Sequence, residues 1–352
     1  MKILIIKLSS IGDVIHTLPS LCAIRRMYSD AVIDWLVEED AAGIIIGHNL
    51  LNDCIVVRRK KWLKKPLSND TWRDISRVIK TLKNTNYDIV IDFQGLIKSG
   101  IWALLSKGKK RMGFRRRREL SSIFLNEALP PYNPDLHAVD RYLQLAEHIG
   151  VDVLPVEFPL SIKQDEKQKA LSIIKENGIL EGQPFILVNP IARWETKLWG
   201  NERFASLCNL ITDKFDMRVV LTGSGLIVSE IDKIIAMTNR KTINLTGKTG
   251  LKELMAVINY SKLMITVDSG PMHIAAAIGK PVIALFGPTA PWRTGPYGSG
   301  HTIIRKDLPC SPCFLRRCRD VRCMKEIKVE DVMTAVERQL NAVAGSEREI
   351  TC

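Results

Sequence analysis

The segment Thr266-Val267-Asp268-Ser269-Gly270-Pro271-Met272-His273-Ile274-Ala275-Ala276-Ala277 joins an apolar, β-branched run to residues that start helices. Asp268 and Ser269 are N-cap types, Gly270 allows close backbone approach, and Pro271 suits a first helical turn. Such a helix start aims N–H groups, carrying about half a unit of positive charge, at an anion such as a phosphate. His273 sits one turn in, where it could donate to a phosphate oxygen. An ordinary capped turn has the same pattern, so this segment by itself leaves both readings open.

Two other loops hold residues of chemical type. Lys7-Leu8-Ser9-Ser10-Ile11-Gly12-Asp13-Val14-Ile15-His16-Thr17 lacks a GxGxxG, which argues against a dinucleotide fingerprint, and instead offers the carboxylate of Asp13 beside a helix start. Asp13 either caps that helix or serves as a general base. In Asn189 to Trp199, the residues Arg193, Thr196 and Lys197 could neutralise a diphosphate; a surface loop with ordinary charges reads the same way. Gly223, in Leu221-Thr222-Gly223-Ser224-Gly225, marks a strand-end loop that a nucleotide could approach, which alone is a weak signal. Trp199, Trp292 and Tyr297 could stack on a base, against apolar packing for each. Cys310, Cys313, Cys318 and Cys323 could ligate a structural zinc, although the spacing departs from paired C-x2-C knuckles; buried or free thiols are the alternative.

These loops need strands to present them. Residues 3–6, 31–37, 54–57 and 88–93 read as strands, and 13–27, 72–82, 95–105 and 137–149 as helices. A linker containing Pro155 and Pro159 follows. A second alternation has strands at 185–189, 218–222, 263–267 and 282–286, with helices at 166–175, 204–213, 230–237 and 251–260 and a final one at 329–340. The pattern predicts an α/β protein of two doubly wound, Rossmann-like halves facing a cleft. The expected domains are 1–155, 156–325, and a C-terminal helix and tail, 326–352, packing back on the first domain.

The chain of 352 residues is 46% apolar and carries a net charge of +13. Residues 58–118 hold nineteen Lys or Arg against four Asp, a local +15, so the remainder is slightly acidic. Such a field recruits a polyanion: nucleic acid, an anionic membrane surface or a phosphorylated acceptor. No apolar run approaches the length of a membrane span, and residues 1–7 are too short for a signal h-region, so a cytoplasmic protein is expected. The scattered Cys22, Cys54 and Cys208 suit a reducing compartment.

Four ordered stretches together resemble glycosyltransferase family 9, the ADP-heptose:lipopolysaccharide heptosyltransferases, most closely the heptosyltransferase I type. They are Lys7 to Pro19, Asp92-Phe93-Gln94-Gly95-Leu96-Ile97-Lys98-Ser99, His137-Ala138-Val139-Asp140-Arg141, and Asp268 to Gly298 including Phe286-Gly287-Pro288-Thr289. The resemblance covers nearly the whole chain. It implies a GT-B fold and inverting transfer of heptose from ADP-heptose to the inner-core Kdo of lipid A. It also implies Asp13 as base, Lys197 on the donor phosphates and Asp268 on the donor sugar. The family's nucleoside-binding glutamate falls here on Leu226 or Ile227, with Glu230 as the candidate substitute.

Given that reaction, Thr196, Lys197, Ser269, His273 and the backbone N–H groups after Gly270 are the expected stabilisers of the departing diphosphate. No cofactor is expected, and a divalent ion becomes dispensable. Ser10, Gly12, Lys98, Arg115, Arg116, Arg117, Arg118 and His137 are the candidate acceptor contacts. The anionic lipid-linked saccharide and the inner leaflet of the membrane are the expected partners. A nucleic-acid-binding protein is the competing reading of the basic stretch, but no recognition motif accompanies it, and no nucleic acid is expected. A non-catalytic sugar-nucleotide-binding protein, or an NAD-dependent epimerase type, would keep the two halves, although missing glycine fingerprints weigh against NAD.

Overall fold

In a computed structural model of the chain, residues 1–115, 120–225, 228–239 and 242–350 are described. The chain divides into two compact units, Met1–Pro159 and Leu160–Cys352.

Unit 1 is built on six parallel strands: β1 (Lys2–Ile6), β2 (Val32–Glu38), β3 (Asp53–Val57), β4 (Ile89–Asp92), β5 (Lys110–Phe114) and β6 (Glu127–Leu129). Their order is β3-β2-β1-β4-β5-β6. Ile3 pairs with Ile33 on one side and Ile89 on the other, and Ile3 to Ile6 are fully buried, as a central strand covered on both faces requires. The helices Ile11–Met27, Asn69–Thr85, Ile97–Leu105 and Ala138–Glu147 are the principal crossovers and flanks. One core layer collects Leu4, Ile6, Leu36, Ile55, Trp62, Leu82, Tyr87 and Val90.

Unit 2 repeats the plan with β7 (Phe185–Asn189), β8 (Arg218–Leu221), β9 (Thr242–Asn244), β10 (Leu263–Val267), β11 (Val282–Phe286) and β12 (Thr302–Arg305), in the order β12-β11-β10-β7-β8-β9 and all parallel. The final helix, Val329–Ile350, belongs to this unit: Val332, Met333, Ala335 and Val336 join the core that contains Trp199, Phe204 and Leu285. The expected third segment, 326–352, therefore has its described helix built into the second unit's core.

Both sheets have a topological switch point where the strand order reverses, between β1 and β4 and between β7 and β10. At such a point the loops leaving the carboxyl ends of two neighbouring strands run in opposite directions and leave a crevice for a ligand. The loops carrying Asp13 and Gln94 leave the first of these points; those carrying Lys197 and Asp268 leave the second.

Candidate functional site

In unit 1, β1 is followed directly by Lys7, a buried ammonium just past an apolar strand. Its Nζ donates to the Phe93 carbonyl at 3.0 Å and to the Tyr142 hydroxyl at 2.6 Å. Tyr142 in turn donates to Asp13 Oδ1 at 3.0 Å, and Lys7 Nζ lies 3.7 Å from the same oxygen. The other oxygen, Oδ2, accepts the Ser10 N–H at 3.0 Å and the Ser10 hydroxyl at 2.9 Å, a reciprocal cap at the start of helix Ile11–Met27. Partial burial alone would push the Asp13 carboxyl up, but the Lys7 charge, the Ser10 donors and His16 outweigh it and hold the group well below the usual carboxylate range. Asp13 is thus a half-buried, ionised carboxylate of fixed orientation, and the capping role expected as an alternative to catalysis is present alongside it.

The Asp92 to Ser99 motif acts as scaffold. Burial pushes the Asp92 carboxyl up, opposed by the N–H groups of Gly95 and Gln94 and by the Ser99 hydroxyl, which it accepts at 3.0, 2.9 and 2.9 Å. Gly95 turns with φ of +61°, a conformation that favours glycine. Gln94 Oε1 then accepts the N–H groups of Leu8 and Ser9 at 3.2 and 3.0 Å, tying the turn after β4 to the loop that leads to Asp13.

Of the expected acceptor contacts, Ser10 is exposed and Gly12 buried beside Asp13. Lys98 reaches Ser9 Oγ at 3.1 Å and is neutralised by Glu38 at 2.7 Å. His137 caps helix Ala138–Glu147, accepting the Val139 N–H, and its ring meets that of His16 edge-on with centroids 5.1 Å apart. Arg115 is exposed at the end of β5, whereas Arg116, Arg117 and Arg118 lie outside the described residues, as do Leu226 and Ile227. Other cations of the basic stretch are paired: Arg58 with Asp74, Lys109 with Asp88, Lys110 with Glu127.

In unit 2, Lys197 Nζ pairs with Asp268 Oδ2 at 2.7 Å, and the Thr289 hydroxyl donates to the same oxygen at 2.7 Å. Lys197 also faces the Trp194 ring at 4.6 Å from its centroid. Helix Gly270–Ala277 starts at Ser269, whose hydroxyl is turned to Asn189 Nδ2 at 2.8 Å and Thr266 Oγ1 at 3.0 Å and makes no cap bond. Its opening N–H groups are therefore left by their own N-cap side chain to whatever acceptor approaches. His273 is buried on this helix's first turns. Thr196 is buried, and its hydroxyl donates to the Leu315 carbonyl at 2.8 Å, which gives it a structural tie as well as its place beside Lys197.

The nucleoside candidates sit further along the sheet. Gly223 follows β8, its carbonyl accepting the Gly247 N–H at 3.0 Å. Glu230 is part-exposed on helix Val228–Ile235, paired with Lys233 at 2.7 Å and reached by Asn201 at 3.3 Å. Of the two readings open for Trp199, apolar packing is the one present: it is 1% exposed, packs edge-on to Phe204 and donates to the Ile327 carbonyl. Cys310, Cys313, Cys318 and Cys323 are free thiols, and among the described residues no three His, Cys, Asp or Glu are grouped as metal ligands. No described helix is long and apolar enough to cross a membrane.

Sequence reasoning passed over Lys7, Glu38, Tyr142, Trp194 and Thr289. Lys7 alone carried a signal, a cation closing an otherwise apolar parallel strand.

A family model described as glycosyltransferase family 9 (heptosyltransferase) matches residues 75–323. The chain is 32% identical over 329 residues to lipopolysaccharide heptosyltransferase 1 of Pseudomonas aeruginosa, covering 90% of this chain and 87% of that protein. It is 29% identical over 349 residues to lipopolysaccharide core heptosyltransferase OpsX of Haemophilus influenzae, covering 95% of each. Among solved structures it is similar to the E. coli heptosyltransferase WaaC with ADP, at a TM-score of 0.76 and 26% identity, over 96% of this chain and 100% of that one. The same enzyme has been solved with ADP-2-deoxy-2-fluoro heptose, at a TM-score of 0.76 and 25% identity over 96% and 99% of the two chains.

Proposed function

Because the chain belongs to glycosyltransferase family 9, the heptosyltransferase family, and has its GT-B fold, we propose that it transfers heptose from ADP-heptose to the inner-core Kdo of lipid A, inverting the anomeric carbon. The observation that carries this reading is the carboxylate of Asp13, oriented by Ser10 and Tyr142 and kept ionised by Lys7. As the acceptor oxygen bonds to the anomeric carbon, its proton passes to Asp13, and the bond from that carbon to the phosphate oxygen breaks with its electron pair going to ADP. One displacement inverts the centre without a covalent sugar–enzyme intermediate. Because Asp13 is a weak base, it accepts the proton late, when the attacking oxygen has already become acidic.

The leaving diphosphate gains charge as the sugar carbon becomes cationic. Lys197, the N–H groups opening helix Gly270–Ala277 and His273 are fixed before the reaction and answer that charge; such preorganised donors contribute about 3 kcal/mol each. Asp268 takes the sugar hydroxyls, Gly223 borders the nucleoside, and Glu230 can reach it only by giving up Lys233. Cationic and amide donors fill the role that a divalent ion would have, so turnover proceeds without metal. Lys98, His137, Ser10, Gly12 and the arginines from Arg115 onward receive the acceptor's carboxylates and phosphates, and the basic stretch draws the enzyme to the anionic cytoplasmic leaflet.

The test is nucleotide release from a panel of nucleotide sugars with a Kdo-bearing lipid acceptor, in excess EDTA. ADP release that needs both ADP-heptose and the acceptor, and that falls by about a hundredfold or more in Asp13→Asn, is the expected result. Full activity in that variant, or loss in EDTA restored only by Mg²⁺, refutes the scheme; ADP binding without turnover would make the chain a binding module.

A further inference from the structure

Residues 310–319 are strapped across the loops that carry Lys197 and Asp268. Ser311 Oγ donates to the Gly287 carbonyl at 2.6 Å, and the N–H groups of Cys313 and Phe314 both donate to the Pro288 carbonyl, at 3.1 and 2.8 Å. The strap is thereby fixed to the turn after β11, whose Thr289 holds Asp268. Phe314, at φ of +57°, turns the chain, and Thr196 then ties down the Leu315 carbonyl from the loop after β7. The next residue, Arg316, lays its guanidinium over the Trp194 ring, 5.0 Å from the centroid. Lys197 faces that same ring.

The two cations are not equivalent. Lys197 is already matched by Asp268, so the pair together brings almost no net charge to an arriving diphosphate. Arg316 is exposed, and no described carboxylate pairs with it. Its planar fork suits two phosphate oxygens at once, and stacking on an indole fixes its plane beforehand, so less side-chain freedom is lost on binding. Beside it, Glu195, Thr196, Arg317, Cys318, Arg319 and Val321 line a cavity of about 300 Å³ in which cations outnumber the carboxylate.

We propose that Arg316, stacked on Trp194, is a further phosphate-binding residue that forks onto the donor diphosphate, and that the strap from Cys310 to Arg319 exists to carry it there. This rests on the ADP-heptose reading of the same pocket. The residue supplies the uncompensated charge that the Lys197–Asp268 pair lacks.

Calorimetric binding of ADP and of adenosine to the full chain tests it, with Arg316→Ala, Arg316→Lys and, as a remote charge control, Lys169→Ala. The expected result is at least about tenfold weaker ADP binding in R316A, adenosine affinity within twofold, partial recovery in R316K and no change in K169A. ADP affinity within twofold of wild type in R316A overturns the proposal. So does an equal loss of ADP and adenosine, which would make the arginine a packing partner of Trp194. Failure of the wild-type chain to bind ADP at all would instead strike the ADP-heptose reading, before any variant is compared.

Discussion

Replacing Lys197 by Met separates what the cation does for the fold from what it does for the ligand. Its ammonium lies 2.7 Å from Asp268 Oδ2, with side-chain exposures of 16% and 7%, so the substitution strands a buried carboxylate with the Thr289 hydroxyl as its remaining close donor. Breaking a buried pair from one side costs about 3–5 kcal/mol, and the surviving hydroxyl bond places the expected loss near 3 kcal/mol. For a unit of this size each kcal/mol moves the midpoint by about 2–4 °C, so K197M should melt roughly 6–12 °C lower. Removing the stranded charge as well, in the double variant with Asp268→Asn, should return most of that loss. ADP affinity should behave differently. It should fall about a hundredfold in K197M, which loses a donor and exposes an anion to the phosphates, and remain about tenfold weak in the double variant, where only the donor is missing. Differential scanning fluorimetry and calorimetric ADP titration on the three proteins read both quantities. A K197M protein as stable as wild type, or a double variant that binds ADP at wild-type strength, would refute the reasoning.

Two further outcomes follow from packing around Gly287 and from the charge held at Asp13. A Cβ at Gly287 would lie 2.5 Å from Met324 Sδ, 2.8 Å from its Cγ and 3.0 Å from Cys323 Sγ, so Gly287→Ala should destabilise by about 1–3 kcal/mol in denaturant titration, with Met324→Ala relieving part of it; an unchanged midpoint contradicts the packing. Since Asp13 is held below the usual carboxylate range, its contribution to stability is complete above that range and is lost only as pH falls through its lower folded value. Accordingly kcat/KM for the acceptor should show no acid limb from this group between about pH 5 and 8. A limb near pH 6 that shifts when Lys7 is replaced by Met would show that Asp13 titrates there and would contradict the assignment.

What could be read in advance follows a physical division. Central strands such as β1, β7, β10 and β11 are buried on both faces and announce themselves as unbroken apolar runs. The missed ones lie toward the sheet edges: β6 and β9 have three residues each, β5 opens on Lys110 and Arg111, and β12 is part-exposed. Loops that leave a strand and start a helix were legible because helix-starting residues are few, which is what drew attention to the stretches holding Asp13, Lys197 and Asp268. Their partners were not. Tyr142 stands 135 residues from the Lys7 it meets, Thr289 is 21 beyond Asp268, and Leu315 is 119 beyond Thr196, separations that no local periodicity encodes. Trp199 was left open for a different reason, since an indole is equally suited to a base and to a core, and its burial and its N–H bond to Ile327 decide for the core.

Two corners of similar build thus end with opposite polarity. At the first, serine and aspartate close on each other, so the helix that follows presents a fixed negative group where its dipole would have offered a positive one. At the second, the serine is drawn sideways by an asparagine and a threonine, and the amides stay on display. An approaching anion is repelled by the former and attracted by the latter. The sign of the charge that each of two similarly built corners presents therefore comes down to which way a single hydroxyl turns.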